Sequence, residues 1–210
     1  MYRRVRSTVI GLTGAIASGK STVSRIIARH GVLVINADLV GHRLLNRGEV
    51  GWGRIVGNFG TGVLNSARNV DRGKLARCVF SDGRALKRLN RLLHPLMVKR
   101  IESAINDARS RGANLIVVEA AVLFEMGMRK NVDEVWVTHA DERTILQRLI
   151  GRGMSMQEAF ARMRSQVSPD EFMRRANRVI TCNRSPSETA RILRSAVKGT
   201  LRCWCHLRGV

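Results

Sequence analysis

Short runs of apolar, mostly β-branched residues alternate along the chain with longer segments in which apolar residues recur every three or four positions. The short runs predict β-strands, and they cover residues 8–13, 32–36, 115–119, 134–138 and 178–182. The longer segments have the spacing of amphipathic helices. Strands that alternate with helices favour an α/β fold built on a five-stranded parallel sheet.

The longest helical pattern lies between the second and third predicted strands, at residues 71–111. Its leucines and isoleucines recur at three- and four-residue spacing, which predicts a helical subdomain over one edge of the sheet, at about residues 60–112. The chain has 210 residues and shows no repeat or obvious linker. We therefore expect one domain, residues 1–210, that carries this segment as an insertion.

A second helical segment, residues 141–177, follows the fourth predicted strand and is rich in arginine. Ser155 followed by Glu158 has the spacing of a capping box, in which each residue satisfies a backbone N–H of the other. The segment therefore predicts two or three short helices, and we call it the lid after the role considered for it below. The same spacing recurs at Ser168 with Glu171 and at Ser185 with Glu188.

A glycine-rich sequence, GAIASGKST at residues 14–22, follows the first predicted strand directly. It satisfies the pattern G-x-x-x-x-G-K-[ST], and we call it the phosphate loop. Its glycines let the backbone turn tightly, so that successive N–H groups and the N-terminus of the next helix point at phosphates. In this pattern Lys20 bridges the β- and γ-phosphates and Ser21 offers a hydroxyl to Mg²⁺. The loop predicts nucleotide binding and leaves the acceptor of the phosphate open.

Carboxylates are scarce, at 16 Asp plus Glu, and two of them follow predicted strands. Asp38 comes just after the second strand, where open α/β proteins bind ligands, and a carboxylate there can take the proton of an attacking hydroxyl. A cap for a helix that begins near Leu39 is the alternative. Glu119 ends the third strand, where a P-loop protein holds Mg²⁺ through water. A structural glutamate at the edge of the sheet is its alternative.

Arginines on the short helices after the fourth strand are candidates for phosphate contact. A mobile lid can bring guanidinium groups onto a transferring phosphate. For any one of them, a solvated helix face is the alternative. These arginines are Arg143, Arg148, Arg152 and Arg162.

The formal net charge of +21 suggests a polyanionic partner such as nucleic acid. However, only six of the 37 basic residues are lysines, and the arginines are spread along the chain rather than gathered in one tract. Aromatic residues make up 4%, too few for the stacking surface of a single-strand binder. We therefore expect no nucleic-acid partner, and a nucleic-acid-binding P-loop protein stays as an alternative.

Composition also bears on location. No apolar run approaches the roughly 18 residues that a membrane span requires. The basic N-terminal segment runs directly into the phosphate loop, so cleavage as a signal peptide would remove the motif. The four cysteines lack paired CxxC spacing, which suits a reducing compartment. We expect a cytoplasmic protein with a disordered tail at residues 199–210, rather than a metal site at Cys203, Cys205 and His206.

Taken in order, the motifs resemble those of the dephospho-CoA kinase family. The family's GLTGGIGSGKST is matched by GLTGAIASGKST at residues 11–22, and its DAD by NAD at residues 36–38. D-R-x-x-L-x-x-x-V-F is matched at residues 71–80 and L-L-H-P-L at residues 92–96. The segment VVEAAVLFE at residues 117–125 is similar to D-x-P-L-L-F-E. The likeness spans nearly the whole chain and continues through the lid to residues 176–183, which resemble the element near the adenine.

The resemblance implies a P-loop kinase that uses ATP and Mg²⁺ and transfers the γ-phosphate to the ribose 3′-hydroxyl of dephospho-CoA, the last step of CoA synthesis. It implies a monomer or small homo-oligomer with a nucleotide-binding core, a helical CoA-binding subdomain and a lid. A related kinase with another acceptor is the alternative. The implied catalytic residues are Asp38, Lys20, Arg148 and Arg152; the nucleotide-binding residues Gly14, Ala15, Ile16, Ala17, Ser18, Gly19, Lys20, Ser21, Thr22 and Asn183; the acceptor-binding residues Asp38, His42, Arg72 and His94; and the metal ligands Ser21 and Glu119.

The chain departs from the family pattern at several of these positions. Ala15 and Ala17 stand where relatives have glycines, and a Cβ at residue 17 carries a steric cost if that residue has a positive φ. Asn36 stands for the first aspartate of DAD, and Glu119 keeps the charge of an aspartate with a longer reach.

Overall fold

A computed structural model describes residues 7–80 and 82–206, apart from the side chains of residues 80 and 197–206. Its centre is a sheet of five parallel strands: β1 Thr8–Gly14, β2 Leu33–Asn36, β3 Leu115–Glu119, β4 Glu134–His139 and β5 Arg178–Thr181. Their order in the sheet is β2-β3-β1-β4-β5. Each strand end lies within one residue of its predicted position, so the predicted α/β fold with a parallel sheet is confirmed.

Helices cover both faces of the sheet, because successive side chains of a buried strand point to opposite faces. The helices are α1 Lys20–Ala28, α2 Ala37–Leu44, α3 Val50–Phe59, α4 Arg72–Phe80, α5 Gly83–Ser110, α6 Glu142–Ile150, α7 Met156–Arg164, α8 Pro169–Arg174 and α9 Pro186–His206. In β1, Val9 packs with α2 to α5, whereas Ile10 and Leu12 pack with α1 and α9. The segment after β4 forms three short helices, α6 to α8, as its pattern predicts, and its role as a lid stays a prediction.

The helical pattern of residues 71–111 forms two helices, α4 and α5. Asp82 begins α5, because its side chain accepts the backbone N–H of Arg84 at 2.8 Å. With 28 residues, α5 is about 42 Å long and contacts α2, α3 and α4. Its apolar face fixes it against the sheet, through Leu93, Met97, Ile101, Ile105 and Ala108.

The helices of the lid begin as the capping pattern predicts. Ser155 and Glu158 form a complete capping box at the start of α7. Ser168 caps α8 and accepts the N–H of Glu171, and Pro169 takes the first helical position, where its missing N–H needs no partner. These caps confirm the predicted helix starts.

The C-terminal segment differs from its prediction. α9 continues to His206, so the backbone of residues 199–206 is helical and the predicted disorder is wrong there. Ser185 starts this helix by accepting the N–H of Glu188 at 3.3 Å, and no proline after Pro186 interrupts it. The side chains of Cys203, Cys205 and His206 lie outside the described residues. Among the helices described, α9 included, none combines the length and apolarity that crossing a membrane requires.

Candidate active site

The phosphate loop joins the carboxyl end of β1, the central strand, to α1. Gly14 and Gly19 have φ angles of +145° and +112°. A Cβ on Gly14 would lie 2.5 Å from the Thr138 carbonyl oxygen, so only glycine fits beside β4. The hydroxyls of Ser18 and Thr138 are 2.6 Å apart and join the loop to the same strand. Sequence reasoning missed Thr138, although it lies near the carboxyl end of a predicted strand.

Ala17 has a φ of +55°, so the residue that replaces a family glycine does lie in the left-handed region. This conformation costs about 1–2 kcal/mol for a residue with a Cβ. Ala17 is 8% exposed and packs with Ile145 and Leu149 of α6. Burying one methyl group recovers about 0.8 kcal/mol. The strain at Ala17 is therefore partly offset by contact with the lid.

We expect Ala17→Gly to leave the free energy of unfolding within about 1 kcal/mol of the wild-type value, because relief of strain and loss of the methyl contact oppose each other. Ala17→Val adds a β-branched side chain at positive φ and should lower that free energy by about 2 kcal/mol. Urea unfolding of the three proteins measures both values. Equal stability of the Val variant and the wild type would contradict the strain argument.

Lys20 lies in the middle of the site. Its Nζ donates hydrogen bonds to the carbonyl oxygens of Gly14, at 2.6 Å, and Ala15, at 2.9 Å. Burial lowers the pKa of Lys20, while the carboxylates of Glu119 and Asp38 raise it and Arg152 lowers it further. Two carboxylates and a lid arginine are thus close enough to the ammonium group to interact with it.

Glu119 connects the phosphate loop to the end of β2. Ser21 Oγ donates to Glu119 Oε1 at 3.2 Å, and Asn36 Nδ2 donates to Glu119 Oε2 at 3.2 Å. Glu119 is 8% exposed and ends β3, which lies between β2 and β1 rather than at the edge of the sheet. A hydroxyl beside a carboxylate offers the oxygen ligands that Mg²⁺ prefers, so these residues fit that ion.

Asp38 lies in the first turn of α2, and its side chain is exposed. Asn36 caps this helix, because its Oδ1 accepts the N–H of Leu39 at 2.9 Å. The alternative that Asp38 is the cap is therefore wrong, and its carboxylate is not committed to that bond. Its charge raises the pKa of both Lys20 and His42.

Two of the predicted acceptor-binding residues, Asp38 and Arg72, interact electrostatically with a third, His42. Burial and the nearby charge of Arg72 lower the pKa of His42, and Asp38 opposes them. His94 lies apart from them on α5, beside Glu125, where the two line a surface cavity of about 650 Å³. Burial lowers the pKa of His94, and Glu125 opposes this shift. The predicted acceptor residues thus form one group around His42 and a separate position at His94.

Two of the four candidate arginines in the lid, Arg148 and Arg152, are implied as catalytic and occupy different surroundings. Arg148 is half-buried, and its guanidinium donates to the carbonyl oxygens of Ala17, at 3.0 Å, and Cys182. Arg152 is exposed, and its charge reaches Lys20. Cys182 also borders the loop, since a Cβ on Gly19 would lie 2.9 Å from the Cys182 Cβ. Arg148 therefore ties the strained part of the phosphate loop to the end of β5.

Two further bonds hold the lid against the core. Gln166 Oε1 accepts the N–H of Ile16 in the phosphate loop at 2.7 Å. Asn183 Oδ1 accepts the N–H of Asp141 at 2.8 Å, which joins the residue predicted near the adenine to the start of the lid. The resemblance placed Asn183 near the nucleotide but could not identify its partner, Asp141.

Comparison with known proteins agrees with this geometry. Residues 8–188 match the family model of dephospho-CoA kinase. Dephospho-CoA kinase of Carboxydothermus hydrogenoformans is 40% identical over 173 residues, which cover 82% of this chain and 84% of the relative. That of Symbiobacterium thermophilum is 39% identical over 202 residues, covering 96% of this chain and 83% of the relative.

A solved structure of dephospho-CoA kinase from Campylobacter jejuni aligns with a TM-score of 0.69 at 26% identity, covering 93% of this chain and 100% of the other. The agreement extends over both the core and the helices inserted in it, so the P-loop kinase fold is confirmed together with the resemblance seen in the motifs. The chain belongs to the dephospho-CoA kinase family.

Proposed function

We propose that this chain transfers the γ-phosphate of ATP to the ribose 3′-hydroxyl of dephospho-CoA, giving CoA and ADP, with Asp38 as the general base. Membership of the family supports the reaction, which is the last step of CoA biosynthesis. The observation that carries the assignment of the base is the exposed Asp38 carboxylate, which interacts electrostatically with Lys20 of the phosphate loop. This arrangement puts a proton acceptor beside the donor site.

In this proposal, the 3′-oxygen of the ribose forms a bond to the γ-phosphorus while the bond from that phosphorus to the bridging oxygen of ADP breaks. The hydroxyl proton passes to the Asp38 carboxylate. Negative charge grows on the bridging oxygen, where Lys20 and the N–H groups of the phosphate loop stabilise it. The lowered pKa of His42 favours its neutral form. The Asp38 carboxylate therefore has no cationic imidazole beside it.

We propose Ser21 and Glu119 as the residues that hold Mg²⁺, because their oxygens lie together at the start of α1. Mg²⁺ bound there supplies positive charge to the β- and γ-phosphates. The group of Asp38, His42 and Arg72 would bind the acceptor near its hydroxyl, and His94 would contact a more distant part of it. Helices α3 to α5 then serve as the CoA-binding part and α6 to α8 as the lid.

The reaction is tested by incubating the purified protein with ATP, Mg²⁺ and dephospho-CoA and separating the nucleotides by chromatography. We expect CoA and ADP to form in equal amounts. A panel of other hydroxyl acceptors, such as adenosine and pantetheine, checks the specificity. Equal turnover of another acceptor would favour a related kinase, and a folded protein that turns over none of them would contradict the proposal.

Of the two lid arginines implied as catalytic, we propose that Arg152 contacts the transferring phosphate and that Arg148 positions the phosphate loop. Arg152→Ala should lower kcat by about 10- to 100-fold and leave the melting temperature unchanged, because its side chain is exposed. Arg148→Ala leaves the carbonyl oxygens of Ala17 and Cys182 without this donor, so it should lower the melting temperature by about 3–6 °C. Steady-state kinetics and thermal unfolding measure these effects. The opposite assignment would show a stable but slow Arg148 variant.

A further inference from the structure

Asn36 connects the part of the site around Asp38 with the part around Glu119. It is the last residue of β2, it lies opposite Glu119 in the register of the sheet, and it is the N-cap of α2. Two residues further on, α2 carries Asp38. One side chain thus lies between the carboxylate proposed for proton transfer and the carboxylate proposed for Mg²⁺.

The two ends of the Asn36 amide have different partners. Its oxygen accepts the N–H of Leu39 at 2.9 Å, which fixes the first turn of α2. Its nitrogen donates to Glu119 Oε2 at 3.2 Å, and the other oxygen of Glu119 accepts from Ser21 of the phosphate loop at 3.2 Å. A buried carboxylate needs such donors, since an unsatisfied charge is costly away from water.

We propose that Asn36 is a positioning residue that holds Asp38 and Glu119 in fixed relation to each other. The amide performs both tasks because it has a donor at one end and an acceptor at the other. An aspartate can cap α2 but cannot donate to Glu119, and an alanine can do neither. The inference rests on the roles proposed above for Asp38 and Glu119, whereas the hydrogen bonds that it invokes can be tested without activity.

The first test is Asn36→Asp, which keeps the cap and places a second carboxylate against Glu119. We expect the melting temperature to fall by about 5 °C and kcat to fall by about tenfold, with a smaller change in KM for ATP. If the cap were the whole role of Asn36, the melting temperature and kcat of this variant would equal those of the wild type. Either of these unchanged values would overturn the proposal.

The second test exchanges the two groups in the double variant Asn36→Asp, Glu119→Gln. Residue 119 then donates from its amide to the carboxylate at residue 36, and the net charge of the pair is unchanged. We expect the melting temperature to recover to within about 2 °C of the wild-type value, even where kcat does not recover. A double variant that is less stable than Asn36→Asp alone would overturn the proposed bond.

A matched pair of cap deletions completes the design. Asn36→Ala and Asp82→Ala each remove one side-chain cap, of α2 and of α5. We expect both to lower the melting temperature by a few degrees and only Asn36→Ala to lower kcat. An equal loss of kcat in the two variants would overturn the positioning role. If the wild type lacked kinase activity, the proposed function would fail, while the thermal data would still decide whether the two side chains are bonded.

Discussion

Replacing Asp38 with asparagine should lower kcat by a factor of roughly 10²–10⁴, the usual scale for loss of a general base. The 3′-hydroxyl must lose its proton as the new bond to phosphorus forms, and an amide cannot accept that proton. ATP should still bind with nearly its original affinity, because the phosphates are held by the loop and by Lys20. Steady-state kinetics and calorimetric titration with ATP measure the two quantities.

The asparagine variant is suited to this test because Asp38 is exposed and does not cap α2. Its fold should therefore be unaffected, and thermal unfolding provides the check. Asp82→Asn is the matched control, since Asp82 also lies at the start of a helix but belongs to α5 and keeps a side-chain oxygen for its cap. We expect wild-type kcat in the control. A value of kcat near that of the wild type for Asp38→Asn would show that another group takes the proton.

The sheet and the phosphate loop were predictable from sequence because their signals are local. The strands of the core are continuous apolar runs, as in Leu115–Glu119, and the loop must have glycine at two positions for reasons of backbone geometry. Helix starts in the lid were equally predictable, since the partners in a capping box are three residues apart. Features that a short window of sequence contains were therefore recovered almost to the residue.

The start of α2 was harder to predict, because asparagine and aspartate are both good caps and residues 36–38 contain one of each. Which of the two residues caps α2 depends on Glu119, which is 83 residues away in sequence and pairs with Asn36 across neighbouring strands. The role of Arg148 was hidden in the same way, since it donates to backbone carbonyls of two distant loops. Carbonyl oxygens are present at every residue, so no residue type in the sequence marks them as partners.

Replacing Lys20 with methionine should impair both binding and catalysis, unlike the change at Asp38. Lys20 meets phosphate charge in the ground state and in the transition state, so its loss affects both. Charge-assisted hydrogen bonds of this kind contribute about 1.5–3 kcal/mol, which corresponds to a rise of about 10- to 150-fold in the dissociation constant of ATP. We expect kcat/KM to fall by about 10³-fold or more, because the charge on the bridging oxygen grows as ADP departs.

Methionine is the informative replacement because it keeps much of the apolar stem of Lys20 within the loop while removing the ammonium group. That group donates to the carbonyl oxygens of Gly14 and Ala15, so the loop itself loses two bonds. Lys20→Arg separates the two effects: it keeps the charge and changes its geometry, and it should bind ATP more tightly than the methionine variant while remaining slower than the wild type. Titration with ATP and with ADP then shows which phosphate the ammonium group holds, since a contact with the γ-phosphate weakens ATP binding more than ADP binding. Unchanged affinity for both nucleotides in Lys20→Met would contradict the assignment of Lys20 to the phosphates.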